Sequence, residues 1–299
     1  MTTTVQTRAQ YLDASSHARW PAAIFAYCDT AGCNFWSSIS RATDSSTSAA
    51  VLADMQSTAA ENALMRANVV ILNEPYASIL RRELLSEQIY IEVRLVAVGI
   101  TSYTLLFRLR WNDQLLATVE TVMVNTDATH TRSAPLPHAS ALRGLVQERT
   151  TPPLITGVTA FVPPGEGRDV ALWRSVVRAT DCDHYGHVNN ALYPLLCEEA
   201  RAAHASSGEY AGRALACATW PAIACSVNHI GQAMAFQTLE IASHMSGGAF
   251  HFEVRSASRV VAHVVLVVAA ADGLHCGAPG MDAERSHDCR GVPAARARL

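Results

Sequence analysis

The stretch Asp181-Cys182-Asp183-His184-Tyr185-Gly186-His187-Val188-Asn189-Asn190 gathers residues that could do acid–base or nucleophilic chemistry. Two carboxylates, a thiol and two imidazoles fall between positions 181 and 187. Asn189 and Asn190 are poor helix-interior residues but good early-turn and capping residues, so they mark a loop leading into a helix. Such a place offers backbone N–H groups and the positive end of the helix dipole. It suits an oxyanion, and losing one preorganised donor of this kind typically costs roughly 2.7–4 kcal/mol. A carboxylate beside those donors could attack an activated carbonyl or draw a proton from water.

Each residue also has a plainer role. Asp183 could simply cap the helix. Asp181 is expected to order the turn rather than react. His187 could simply tie the loop to backbone. Asn189 and Asn190 are expected to fix the loop, and Tyr193, one helical turn beyond Asn189, to pack or hydrogen-bond beside a bound group. Asp183, His184 and His187 could be drawn as a metal cluster, but adjacent loop spacing disfavours it. Strand alternation turns Cys182 away from its neighbouring carboxylates. The serine-rich run 37–48 has no Gly-x-Ser-x-Gly elbow, which argues against a serine hydrolase.

The surrounding pattern says what must position these groups. Leu192, Leu195, Leu196, Ala200 and Ala203 recur at helical spacing and Gly208 stops the helix. Strands are expected at 238–245, 249–256 and 260–270, with Gly247-Gly248 at a turn. An earlier set reads similarly. Val51, Leu52, Met55, Ala59 and Ala63 have helical spacing behind the capping cluster at 44–48, and strands are expected at 89–98, 101–111 and 115–125. Short apolar segments near Pro75 and Pro221 lie between helix and strands in both sets. Phe35-Trp36-Ser37-Ser38-Ile39-Ser40-Arg41-Ala42-Thr43-Asp44 resembles Leu172-Trp173-Arg174-Ser175-Val176-Val177-Arg178-Ala179-Thr180-Asp181, which predicts a duplication. The expected units are 34–147 and 171–271, each a sheet curled round one helix. Residues 148–170 form a linker within a Pro-rich stretch that begins near 126, 1–33 an N-terminal extension, and 272–299 a disordered tail. In this register Ser46 stands where Asp183 does, so the first unit would have lost its site. Its Glu61, Asn62 and Glu74 would be candidates to face the intact one.

Composition narrows the partners. The chain has 299 residues, 49% hydrophobic and 16% charged, with a net charge of -3, which gives no electrostatic reason to expect nucleic acid. Its eight cysteines form no Cys-x-x-Cys pair and read as buried thiols in a reducing compartment. The apolar run near 260–271 is broken by His263 and is far short of the roughly 20 residues that span a bilayer. Cytoplasm is the default location, with a short organelle-targeting segment at the N-terminus left open.

Across 181–193 the string Asp-x-Asp-x-x-Gly-His-Val-Asn-Asn-x-x-Tyr resembles the signature of the 4-hydroxybenzoyl-CoA and acyl-carrier-protein (ACP) thioesterase branches of the hot-dog superfamily. The two-unit layout is similar to the plant and bacterial acyl-ACP enzymes. The resemblance implies an α+β double hot-dog, two antiparallel sheets each wrapped around a long central helix, packed as a pseudo-dimer within one chain. A further homodimer is left open. It implies hydrolysis of acyl-CoA or acyl-ACP in fatty acid metabolism without a cofactor. Asp183 and His187 would be catalytic, and Gly186, Val188, Asn189, Asn190 and Tyr193 would bind substrate. Tyr185 stands where the acyl-ACP branch carries Asn, so an Asp-Asn-His set is not complete here. Arg255 and Arg259 could meet CoA phosphates or be solvated turn residues. The hydratase pattern Asp-x-Asn-Pro with a later His is absent from the sequence. The rival reading is a non-catalytic acyl-binding or scaffold protein.

Overall fold

A computed structural model describes residues 2–8, 24, 25, 28, 31, 32, 35, 63–72, 88–111, 113–127, 132–148, 153, 154, 160–165, 170–183, 186–210, 217, 218 and 222–268. The strands are β1 (Thr2–Arg8), β2 (Ala63–Leu72), β3 (Gln88–Val98), β4 (Ser102–Trp111), β5 (Gln114–Asn125), β6 (Ala171–Val176), β7 (Ala222–His229), β8 (Thr238–Ser246), β9 (Ala249–Ser256) and β10 (Arg259–Val268). Among the described residues, the helices with continuous bounds are α1 (Ala139–Leu145) and α2 (Leu192–Ser207).

All ten strands join one antiparallel sheet in the order β1-β3-β4-β5-β2-β7-β10-β9-β8-β6. Read inward from each edge, the second half repeats the first with every strand number raised by five. The halves meet at β2 and β7, where Val69 faces Ser226 and Val70 faces Cys225. This pairing leaves neither inner strand with an open edge.

Alternation decides which face is buried. Leu239, Ile241, Phe250, Phe252, Val254, Val264 and Leu266 point to one side and are fully buried. Helix α2 packs on the second half of the sheet against β6, β7, β8 and β10, burying Leu196, Cys197 and Ala200. Each large apolar side chain taken out of water contributes about 1.5–3 kcal/mol. Gly208, at φ 75, ends α2 in the left-handed conformation that glycine adopts without steric cost. On the other face Ala224, Ala249, Val265 and Val267 form a smaller cluster covered by Phe161 and Ile223.

The strand expectations at 89–125 and 238–270 agree with β3–β5 and β8–β10 to within two residues at each end. The register of the duplication departs at its first position. Leu172 lies in β6, whereas Phe35 is helical and buried; residues 36–44, the rest of the match, lie outside the described residues. The strand that occupies the place of β6 is β1, paired with β3 from Thr2↔Arg94 to Arg8↔Gln88. Residues expected to form an extension therefore belong to the sheet. Ile24, Phe25, Cys28, Ala31 and Phe35 are helical and buried, and a Cβ on Gly32 would stand 3.7 Å from the Phe107 ring. A short match in composition lacks the alternation that fixes register, and strand pairing overrides it. Ala63, expected on a helix, begins β2; residues 51–62 and the tail beyond 268 lie outside the described residues.

Candidate active site

Strand β6 leaves the sheet edge through Val177, whose N–H donates to Gln237 O at 2.9 Å and whose carbonyl accepts from Phe236 N at 2.8 Å. A single 3₁₀ turn follows over Ala179–Asp181. The Asp181 carboxylate closes that turn by accepting from the Arg178 backbone N–H at 2.8 Å and from Arg178 Nε at 3.1 Å. Burial pushes this carboxyl up, but the Arg178 hydrogen bonds and charge outweigh it and hold it below its ordinary value. The Asp181 carbonyl also accepts from Asn189 N at 2.9 Å. Asp181 thus orders the turn, as expected.

Cys182 bridges to Val188, and His187 bridges to Met234, so the chain doubles back between them. Three hydrogen bonds close this loop. Asp183 N donates to His187 O at 2.7 Å, Gly186 N to Asp183 O at 3.0 Å, and His187 N to Asp183 Oδ1 at 3.1 Å. Gly186 takes φ +80, a conformation that costs an L-residue roughly 1–2 kcal/mol. The glycine of the motif is there for the backbone. Asp183 is half-buried and its side chain serves the loop rather than α2, which begins nine residues later at Leu192. The N-cap of α2 is Ala191, without a side-chain cap, and Asn189 closes the turn just before it: its Oδ1 accepts from Ala191 N and its carbonyl from Leu192 N, both at 2.9 Å.

The donors that the sequence suggested for an oxyanion are accordingly fewer than expected. Val188, Asn189, Ala191 and Leu192 give their N–H groups to Ala233 O, Asp181 O, Asn189 Oδ1 and Asn189 O. Tyr193 points into the core, with only 2% of its surface exposed. Its ring packs edge-on against His229 with centroids 5.4 Å apart. Burial pushes its hydroxyl well up, opposed by a hydrogen bond from the Ala233 backbone, while Cys182 and Asp183 add to the rise. Cys182 is a poor nucleophile here, because burial and then the Asp183 and Asp181 charges push its thiol up.

The structure brings Asp183, Gly186, His187 and Val188 into one loop, places Asn189 and Asn190 at the lead-in to α2, and buries Tyr193 in the first turn of that helix. His184, Tyr185, Glu61, Asn62 and Glu74 lie outside the described residues. Among the described residues no group of three or more His, Cys, Asp or Glu could hold a metal ion, and no helix is long and apolar enough to cross a membrane. Arg255 is paired with Glu253 at 2.6 Å and Arg259 is exposed beside the same turn. Sequence reasoning missed the segment 230–237, whose Ala233 and Met234 pin the loop from the side, and His229 beneath Tyr193. A histidine closing an otherwise Ala/Val-rich strand was the available signal.

No protein-family model and no curated protein sequence matches the chain. Solved structures do. An acyl-ACP thioesterase from Bacteroides thetaiotaomicron superposes with a TM-score of 0.65 at 13% identity, over 90% of this chain and 98% of that one. A protein described as an oleoyl thioesterase from Lactobacillus plantarum gives 0.63 at 16% identity, over 89% of this chain and 95% of that one. A 12:0-ACP thioesterase from Umbellularia californica gives 0.61 at 14%, over 89% of this chain and 96% of that one. What is shared at this identity is the fold, an α+β hot-dog.

Proposed function

We propose that this chain hydrolyses acyl thioesters, acyl-CoA or acyl-ACP, at Asp183, and that its halves are two hot-dog units in tandem, the first beginning at β1. The observation that carries the reading is the Asp183 carboxylate, held at Oδ1 by the His187 N–H in a glycine-closed loop that runs straight into α2.

In this reading water adds to the thioester carbonyl as Asp183 takes its proton, or Asp183 itself attacks and water releases the acyl group afterwards. The tetrahedral oxyanion needs a donor. Within 188–192, Asn190 is the position whose N–H is given to no described residue, and it sits at the lead-in to α2, where the helix dipole adds to the attraction. Collapse expels the thiolate, which takes up a proton. His187 anchors the loop through its backbone on both sides, to Asp183 and to Met234, and Val188 and Tyr193 fix the floor. The names of the structural neighbours support acyl carriers as the substrate class. The test is release of free thiol from a panel of acyl-CoA and acyl-ACP thioesters by the purified chain. Hydrolysis of at least one class is expected; saturable binding with no thiol released from either would leave the acyl-binding protein in its place.

A further inference from the structure

Two described pieces of the segment joining the two halves, at Leu154 and at 160–165, lie on the sheet face opposite α2, each held by a titratable side chain. Leu154 N donates to Glu120 Oε2 at 2.8 Å on the first half. Val162 N donates to His251 Nδ1 at 3.2 Å on the second, and His251 Nε2 lies 3.2 Å from Ser246 O. This geometry specifies a neutral imidazole. Nε2 must carry the hydrogen to serve the Ser246 carbonyl, and Nδ1 must stay bare to accept from Val162.

We infer that residues 160–165 form a pH-sensitive strap, held over the β8–β10 face by neutral His251 and released when that imidazole is protonated. A proton on Nδ1 would set N–H against the Val162 N–H and remove the acceptor. The neighbours decide whether another group could dominate. His244 on β8 stacks on His251 with centroids 5.3 Å apart, so a second proton there would repel the first. Glu253 on β9 is shared between Arg255 at 2.6 Å and His263 of β10 at 3.5 Å. His263 lies flat on Phe161, centroids 3.9 Å apart. Its protonation would strengthen both the Glu253 contact and the ring stack, opposing release. Further out on the same face Arg174 of β6 neutralises Glu240 of β8. The strap's own described residues carry no charge. His251 is thus the group whose protonation lifts the strap, uncovering Ala224, Ala249, Val265 and Val267, which it shields through Phe161.

The proposal is independent of the thioesterase reading and is tested without substrate. Hydrogen exchange of the segment around Phe161 and Val162 is measured in the full chain at pH 7.5 and 5.5, corrected for the intrinsic pH dependence of amide exchange. With an ordinary imidazole pKa of about 6.5 and a closed strap that admits only the neutral ring, opening should become about tenfold more frequent at the lower pH. His251→Gln keeps an acceptor and a donor but does not titrate, so its protection should not change with pH beyond that correction. His263→Gln should keep the tenfold response. A wild-type strap whose protection is the same at both pH values overturns the proposal. So does a response that survives in His251→Gln.

Discussion

Asp183 Oδ1 and the His187 backbone N–H lie 3.1 Å apart, so the proposed catalytic carboxylate is also the clasp of its own loop. This double use makes one substitution informative. In Asp183→Asn the amide oxygen can still accept from His187, so the loop keeps its closure while the base or nucleophile is lost. Thioester hydrolysis is expected to fall at least about a hundredfold. The melting temperature should shift by only a few degrees, corresponding to about 1 kcal/mol. Steady-state kinetics and a thermal melt on the same preparation check this; turnover left intact with only KM raised would reassign Asp183 to binding.

Gly186 supplies the turn that makes the clasp possible. A Cβ placed on it would meet Met234 Cε at 3.6 Å, an ordinary contact, so the expense of Gly186→Ala lies in the positive φ of 80 and not in crowding. That conformation costs roughly 1–2 kcal/mol for an L-residue. The expected outcome is a loss of stability of that order in urea titration, together with reduced kcat as the loop shifts to relieve the strain. Equal activity and stability in the two proteins would mean that the turn is not under this constraint.

The second half of the fold was legible because its signals are local. Leu192 to Gly208 carries helical spacing and a glycine stop, and the meander behind it alternates between turn residues, so these elements emerge near their expected bounds. The first half misled for the opposite reason. β1 at Thr2–Arg8 is threonine-rich and lies at the sheet edge, without the alternation that marks a half-buried strand. The ten-residue match that begins at Phe35 pairs it with Leu172 of β6, yet Phe35 is helical and the strand in the place of β6 is β1. Ser46 lies outside the described residues. At the site, residue types pointed to a loop before a helix, but not to Asp183 closing its own loop, to Asn189 closing the turn ahead of α2, or to most of the N–H groups there being already used. Hydrogen-bond partners supplied by 233–234 are remote in sequence and leave no local signal.

Asp181 should reveal itself in acid. Its carboxyl is held below the ordinary value by Arg178, so the folded state binds its proton less readily than the unfolded one. The stabilisation is present above the unfolded value of about 3.9 and is lost as the pH falls through the lower folded value. Arg178 itself is largely exposed, at 76%, so solvent screening keeps the gain small. Wild type is therefore expected to exceed Asp181→Asn in denaturant stability at pH 7 and to converge with it as the pH falls through the lowered folded value. A gap that persists or widens in acid would place the effect of the substitution elsewhere.

Inside α2, Arg201 Nε donates to Glu198 Oε2 at 2.7 Å, with both side chains under 10% exposed. Arg201 also lies over the Phe250 ring at 5.6 Å. Glu198 Oε1 is buried with no hydrogen-bond partner, and burial pushes the Glu198 carboxyl up against the opposing pull of Arg201. Removing the arginine leaves an unpaired buried charge, so Arg201→Ala is expected to cost about 3–5 kcal/mol. The sign of its pH dependence follows. A carboxyl whose folded value is raised destabilises the fold progressively as pH rises above about 4.3, its unfolded value, until the folded value is passed. Without Arg201 that value rises further, so the deficit of Arg201→Ala should shrink between pH 7 and pH 5 as Glu198 takes up a proton. The double variant Glu198→Gln, Arg201→Ala separates the contributions, since it has no charge to bury and should recover part of the loss at pH 7 with little change at pH 5. Urea unfolding of the three proteins at both pH values is the measurement. A deficit in Arg201→Ala that is independent of pH and is not relieved by Glu198→Gln would show that Arg201 contributes through packing on Phe250 and not through the charge of its partner.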